Sequence, residues 1–179
     1  MTTASTDQFK AQLGKDLVDA AYLTGDFVLS SGQHSNYYLD KYLFETDPSI
    51  LRRLGQLIAT HVPEGTDRIA GPELGAVALA AAASMASDVP FVIVRKEAKG
   101  YGTAKHLEGT LNDGEQVLVV EDIITSGGEA IRAAQRVADA GGQVTGILGV
   151  VDREQGGPEN IAAAGFDFTA LYTKSQLGV

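Results

Sequence analysis

The chain contains no cysteine, which excludes disulfides, a thiolate nucleophile and zinc–thiolate sites together. Histidine is almost as scarce. His34, His61 and His106 lie too far apart in sequence to suggest a clustered metal site, so transition-metal catalysis is not expected. No stretch reaches the about 18 uninterrupted apolar residues that a membrane span requires. The longest candidate, AVALAAAASMA at 76–86, is short and Ala-rich and reads as a buried helix. The polar start MTTASTDQFK has neither the basic region nor the apolar region of a secretory signal, so the cytoplasm is the expected location. Positive charge is also in short supply: 14 Lys and Arg stand against 23 Asp and Glu, a net charge of −9. That balance opposes long-range attraction to nucleic acid or anionic lipid, so any bound anion must be captured by local geometry. With only seven lysines, the acidic surplus also fits a protein adapted to high salt.

What is present points to a folded globular chain. Its 179 residues, 44% hydrophobic and 21% charged, suit a single domain over 1–179 with one compact core. Apolar residues recur at helical spacing from Asp7 to Leu23, and FVLSSGQHSNYYLD at 27–40 alternates like a hairpin. A second helix is expected from Pro48, capped by Asp47, up to Val62. The pattern then changes to continuous apolar runs: RIAG at 68–71, FVIVR at 91–95, QVLVVED at 116–122 and QVTGILGVVDR at 143–153. Strands covered on both faces have this composition. Helical stretches at 74–87, 127–140 and 158–164 separate them, and FDFTALYT supplies a last strand. Strand alternating with helix predicts an α/β fold, a doubly wound, mostly parallel sheet flanked by helices. Such folds bind ligands beyond the carboxyl ends of the strands. The segments to read are therefore 71–75, 95–109, 121–128 and 152–157.

The most informative of these is VLVVEDIITSGG at 117–128, where a buried strand ends in two carboxylates and turns through Thr-Ser-Gly-Gly into a helix. Glycines let backbone amides approach an anion, the helix start adds partial positive charge, and the Thr125 and Ser126 hydroxyls add donors. Glu121 and Asp122 would repel a phosphate directly, but they suit sugar hydroxyls or Mg²⁺. Phosphate beside a sugar diol implies a ribose 5-phosphate. A bare Gly-Gly turn is equally an ordinary strand-to-helix turn with Thr125 as its cap; the combined string is what is specific. It is not a Walker A loop, and GYGTAK at 100–105 lacks the third glycine of a dinucleotide fingerprint. Four of the 14 basic residues, Arg95, Lys96, Lys99 and Lys105, fall within 11 positions beside Gly100 and Gly102, an arrangement suited to a pyrophosphate. Arg153 ends a strand, and its guanidinium suits a planar carboxylate, although an arginine in this setting is often only a surface ion-pair partner.

The string at 117–128 resembles the phosphoribosyl-pyrophosphate signature of type I phosphoribosyltransferases. The likeness extends along the chain to the orotate phosphoribosyltransferases within that family. RKEAKGYG at 95–102 resembles their mobile catalytic loop, SGQHSNYYLDKYLF at 31–44 their N-terminal substrate segment, and VVDREQGG at 150–157 their orotate-contacting strand end. GPELG at 71–75 matches a segment that touches pyrophosphate through backbone amides. The resemblance implies a pentosyltransferase of pyrimidine (UMP) biosynthesis. It would move ribose 5-phosphate from 5-phosphoribosyl 1-pyrophosphate to orotate, with residues 1–45 forming a small N-terminal hood over the substrate. It implies donor contacts by Arg95, Lys96, Lys99, Tyr101, Glu121, Asp122, Ile123, Ile124, Thr125, Ser126, Gly127 and Gly128, with Lys99, Arg95 and Asp122 catalytic. Thr125, Arg153 and Tyr38 would contact orotate. Mg²⁺ would be held mainly through the donor, with Asp122 as a candidate ligand. A homodimer would share the mobile loop across its interface. Ser30 and Tyr101 stand where the family pattern usually has Lys and His. A transferase for another base and a non-catalytic donor sensor are the alternatives that the residues leave open.

Overall fold

In the computed structural model, which describes residues 3–28, 32, 34–97 and 106–179, the chain opens with α1 (Thr3–Ala21) and the hairpin β1 (Tyr22–Val28) and β2 (His34–Leu39). Two helices follow, α2 (Lys41–Glu45) and α3 (Pro48–Ala59), then β3 (Arg68–Pro72), α4 (Gly75–Ser87), β4 (Phe91–Val94) and β5 (Leu107–Glu108). The remainder runs β6 (Gln116–Ile124), α5 (Gly128–Asp139), β7 (Gln143–Asp152), α6 (Gly157–Ala163), β8 (Phe168–Thr173) and α7 (Lys174–Leu177).

The apolar runs assemble into a six-stranded sheet in the order β5-β4-β3-β6-β7-β8. All neighbours are parallel except the two-residue edge strand β5, which pairs antiparallel with β4. From β3 the chain winds outward to β4, and from β6 it winds the other way to β7 and β8. The topological switch point therefore lies between β3 and β6, where the diverging connections leave a crevice beyond the carboxyl ends. Burial on both faces explains the unbroken apolar runs. Along β6, Leu118 and Val120 join the core formed with α1, α3 and α4, while Val117 and Val119 join the core under α5 and α6.

Local chemistry sets several boundaries. Asp47 caps α3, its carboxylate accepting the Ser49 and Ile50 N–H groups at 2.8 and 2.9 Å, and Pro48 occupies the first turn, as expected. The first helix stops at Ala21, not Leu23, because Tyr22 and Leu23 pair with Leu39 and Tyr38 across the hairpin. Ring stacking of Tyr22 on Tyr37 at 5.5 Å reinforces that register. The helix at 75–87 is buried on one face only: Leu79, Ala80 and Ala83 are covered while Met85 is exposed. Three short elements, α2, β5 and α7, had no counterpart in the periodicity, since two to five residues are too few to display one. Among the described residues, no helix is long and apolar enough to cross a membrane.

Candidate active site

Glu121 and Asp122 sit near the carboxyl end of β6, the central strand at the switch point, and are 7% and 2% exposed. Buried carboxylates need partners. Asp122 accepts the Ile123 N–H at Oδ1 and the Lys41 ammonium at Oδ2, the latter at 2.6 Å. Lys41 is the first residue of α2, so its cation comes from the N-terminal segment, 81 positions away. Glu45, on the same short helix, is also buried and lies against Asp122. Burial first, and then the charge of Asp122, push the Glu45 carboxyl up to about 8. The same two causes push Glu121 upward. Partial burial pulls the Lys41 ammonium down, but Asp122 and Glu45 outweigh that and hold it above its ordinary value.

This cluster forms one wall of a crevice of about 310 Å³, with Pro72–Gly75, Lys96 and Glu129 on the others. The Glu73–Leu74 peptide there is cis. Position 75 must be glycine, because a Cβ would collide with the Asp122 carboxylate. A neighbouring crevice of about 300 Å³ is lined by Ile123, Ile124, Thr125, Ser126, Gly127, Gly128 and Arg132. Its floor is the turn into α5. Gly127, not Thr125, is the N-cap, with φ +79, and a side chain at that position would also strike Ile161. The amides of that turn and the helix start form an anion cradle. A cavity of about 550 Å³ beside His106, Leu111 and Arg136 is lined by none of these groups.

One strand further along, β7 ends beside the cradle. The Arg153 N–H donates to the Ile124 carbonyl at 2.8 Å, and its guanidinium lies 3.4 Å from the Tyr37 hydroxyl and 5.9 Å from that ring's centre. Lys174 lies 5.6 Å from the same ring centre. Burial resists ionisation of Tyr37, but its hydrogen bond to Lys174 and the field of Arg153 set its pKa below the ordinary phenol value. Tyr38, the tyrosine expected to contact orotate, is placed elsewhere. It is 41% exposed and packs on Phe27 at 5.6 Å. Successive side chains of β2 alternate between faces, so only one tyrosine of the pair can meet Arg153, and the hairpin register makes it Tyr37.

The base of the basic loop is divided. Lys96 lines the acidic crevice, its N–H donating to the Glu73 carboxylate at 2.7 Å and its carbonyl accepting from Arg136 at 2.8 Å. Arg95 turns instead towards Glu108, 3.6 Å away, and its Nε donates to the Glu97 carbonyl. Lys99 and Tyr101 lie outside the described residues, as do Ser30 and Lys105. The structure thus gathers Lys96, Glu121, Asp122, Ile123, Ile124 and Thr125–Gly128 along one sheet edge with Arg153 adjoining, and it adds Lys41, Glu45, Tyr37, Lys174 and Arg132. Tyr37 and Lys41 lie within the segment at 31–44 that resembles the family's substrate segment, where Tyr37 and Tyr38 are both candidates to border a pyrimidine ring, although nothing local names their partners. Glu45, Lys174 and Arg132 are single residues outside a recognisable string.

Carboxylate oxygens suit Mg²⁺, and Glu121 Oε2 and Glu45 Oε1 are buried with no hydrogen-bond partner among the described residues. Among the described residues, however, no three His, Asp or Glu side chains group into a metal site. The residues therefore fit a Mg²⁺ carried mainly by a ligand's own phosphates, not one caged by protein.

The profile of the phosphoribosyl transferase domain matches residues 45–166. The orotate phosphoribosyltransferase of Halobacterium salinarum is 50% identical over 167 residues, covering 90% of this chain and 95% of that one. Its counterpart from Methanocella arvoryzae is 48% identical over 153 residues, covering 86% and 87%. The solved Mycobacterium tuberculosis orotate phosphoribosyltransferase bound to Fe(III) dicitrate superposes with a TM-score of 0.87 at 32% identity, over 96% of this chain and 99% of that one. The same enzyme in complex with 5-phospho-alpha-D-ribosyl 1-diphosphate gives 0.82 at 30% identity, with the same coverage. With an α/β sheet wound about its switch point and close relatives along nearly its whole length, the chain belongs to the phosphoribosyl transferase domain family and, within it, to the orotate phosphoribosyltransferases.

Proposed function

We propose that this crevice moves ribose 5-phosphate from 5-phosphoribosyl 1-pyrophosphate to N1 of orotate, in the manner its family implies. The observation that carries the reading is the single backbone hydrogen bond from Arg153 N–H to the Ile124 carbonyl. It sets the main chain of Arg153, whose guanidinium suits the carboxylate of orotate, beside the last residue of the strand that leads into the phosphate cradle. In the reaction the C1–O bond to pyrophosphate breaks and the C1–N1 bond forms, with positive charge building at C1 and the N1 proton passing to the departing pyrophosphate. Glu121 and Asp122 hold the ribose hydroxyls and favour that charge, and Thr125, Ser126, Gly127 and Gly128 anchor the 5-phosphate with Ile123 and Ile124 behind them. Lys96, with Arg95, Lys99 and Tyr101 of the basic loop, closes over the pyrophosphate and excludes water. Arg153 and Thr125 receive orotate, with Tyr37 in place of Tyr38 beside Arg153. When bound, Mg²⁺ would supply charge neutralisation on the pyrophosphate, with Asp122 as the candidate protein ligand. Residues 1–45 serve as the hood of a single domain spanning 1–179, in a cytoplasmic homodimer whose loops are exchanged between subunits.

The test is spectrophotometric. Protein, Mg²⁺, the pyrophosphate donor and orotate should together change the pyrimidine's ultraviolet absorbance, and omitting any one component should abolish the change. A silent reaction with orotate, but turnover of a different base, would reassign the acceptor. Mixing an Asp122→Asn protein with a Lys99→Ala protein tests loop exchange, since hybrid dimers should regain activity that neither parent has.

A further inference from the structure

Lys41 is the basic side chain lining the crevice to which the proposed function gives no task. We infer that Lys41 is a donor-binding residue, its ammonium touching the phosphorylated donor where ribose meets pyrophosphate, beside Asp122; this rests on the donor reading above.

Three observations carry it. The first is position. Lys41 lines the same crevice as Lys96, Glu73 and Asp122, and its Nζ stands 2.6 Å from Asp122 Oδ2. A sugar hydroxyl held by that carboxylate would lie within reach of the ammonium as well. The second is asymmetry in the ion pair. The Asp122 side chain is 3% exposed, whereas that of Lys41 is 32% exposed. The acid is built into the sheet and the base reaches it from the open side, so the ammonium is accessible from the crevice while the carboxylate is not left unpaired. An ammonium has three N–H groups, and Asp122 takes one of them. The Tyr42 ring, 5.4 Å from Nζ, steadies the side chain without occupying a donor. The third is charge. Glu73, Glu121, Asp122 and Glu129 bring four carboxyl groups to a crevice that must admit a ligand carrying a phosphate and a pyrophosphate. Lys41, together with Lys96, supplies the positive charge among the described residues that line it. Like charges at such distances repel strongly unless neutralised. Lys41 offsets Asp122 in the empty crevice and re-pairs with the arriving anion.

Donor binding with Mg²⁺ is measured by calorimetry, alongside steady-state kinetics, for the wild type, Lys41→Met, Lys41→Gln and Lys41→Arg. Loss of one charge-assisted contact should raise the donor Kd and KM about tenfold or more in the Met and Gln proteins. The KM for orotate should stay within about twofold, and Lys41→Arg should recover most of the loss, since a structural role alone would spread the damage to both substrates. In the wild type, the Mg²⁺-bound donor should slow acetylation of Lys41 several-fold relative to Lys10. A folded Lys41→Met protein that binds donor as the wild type does overturns the inference, and so does unchanged acetylation, which needs no variant to fold. Failure of the acceptor reading would look different: a wild type silent with orotate whose donor binding still depends on Lys41. A wild type that binds no donor overturns both.

Discussion

The ends of β6 and β7 are neighbours in one sheet, yet their chemistry is opposite. The first gathers Glu45, Glu121 and Asp122 around a single borrowed cation, Lys41. The second gathers Arg153 and Lys174 around a borrowed ring, Tyr37. Both borrowed groups come from the N-terminal segment, one from α2 and one from β2. The strands supply the charged group suited to the ligand at each end, and the N-terminal segment supplies what tempers it. The edge thus keeps a negative and a positive field one strand apart, as the proposed placing of a sugar beside an acidic heterocycle requires.

The largest effect is expected at the acidic end. Asp122→Asn keeps the shape but removes the charge that favours developing positive charge at C1, so kcat should fall by about 10²-fold or more, with the circular dichroism spectrum unchanged. A variant retaining full turnover would remove Asp122 from the mechanism. At the cationic end, Arg153→Ala should raise the KM for orotate about 10- to 100-fold while leaving the donor KM near that of the wild type, as expected for loss of a charge-assisted pair. Equal damage to both substrates would mean that the two ends are not separate sites. Tyr37→Phe sharpens the same end. The hydroxyl's bond to Arg153 is long, 3.4 Å, so a rise of only about two- to fivefold in orotate KM is expected, and Tyr38→Phe should change less still.

The smallest effect concerns stability. Glu45 titrates near 8 in the folded chain against an ordinary 4.5, so between those values the native state holds a proton that the unfolded chain has released. Stability from this group is fully present below about pH 4.5 and is lost as pH rises through about 8. Glu121 contributes in the same direction. Replacing Glu45 with Gln removes one such group, and the fall in Tm between about pH 5 and about pH 8 should shrink by several °C. Melts that fall as steeply in the variant as in the wild type would show that Glu45 does not carry that proton.

The comparison also marks the division between sequence and structure. VLVVEDIITSGG could be read without coordinates because strand, carboxylates, turn and helix start follow one another within twelve residues, and local geometry is enough to make an anion cradle of them. The parallel sheet was legible for a similar reason, since burial on both faces writes itself into unbroken apolar runs. Nothing local states that Lys41 meets Asp122, or that Tyr37 and not Tyr38 meets Arg153. The first contact spans 81 positions and depends on where α2 is carried by the packing of α1 and α3; the second spans 116 positions and depends on hairpin register, in which a shift of one residue exchanges the faces. The chain's own order therefore determined which chemical groups stand at each strand end. Only the tertiary structure decided which distant side chain completes each of them, because proximity across a fold is set by packing and not by spacing.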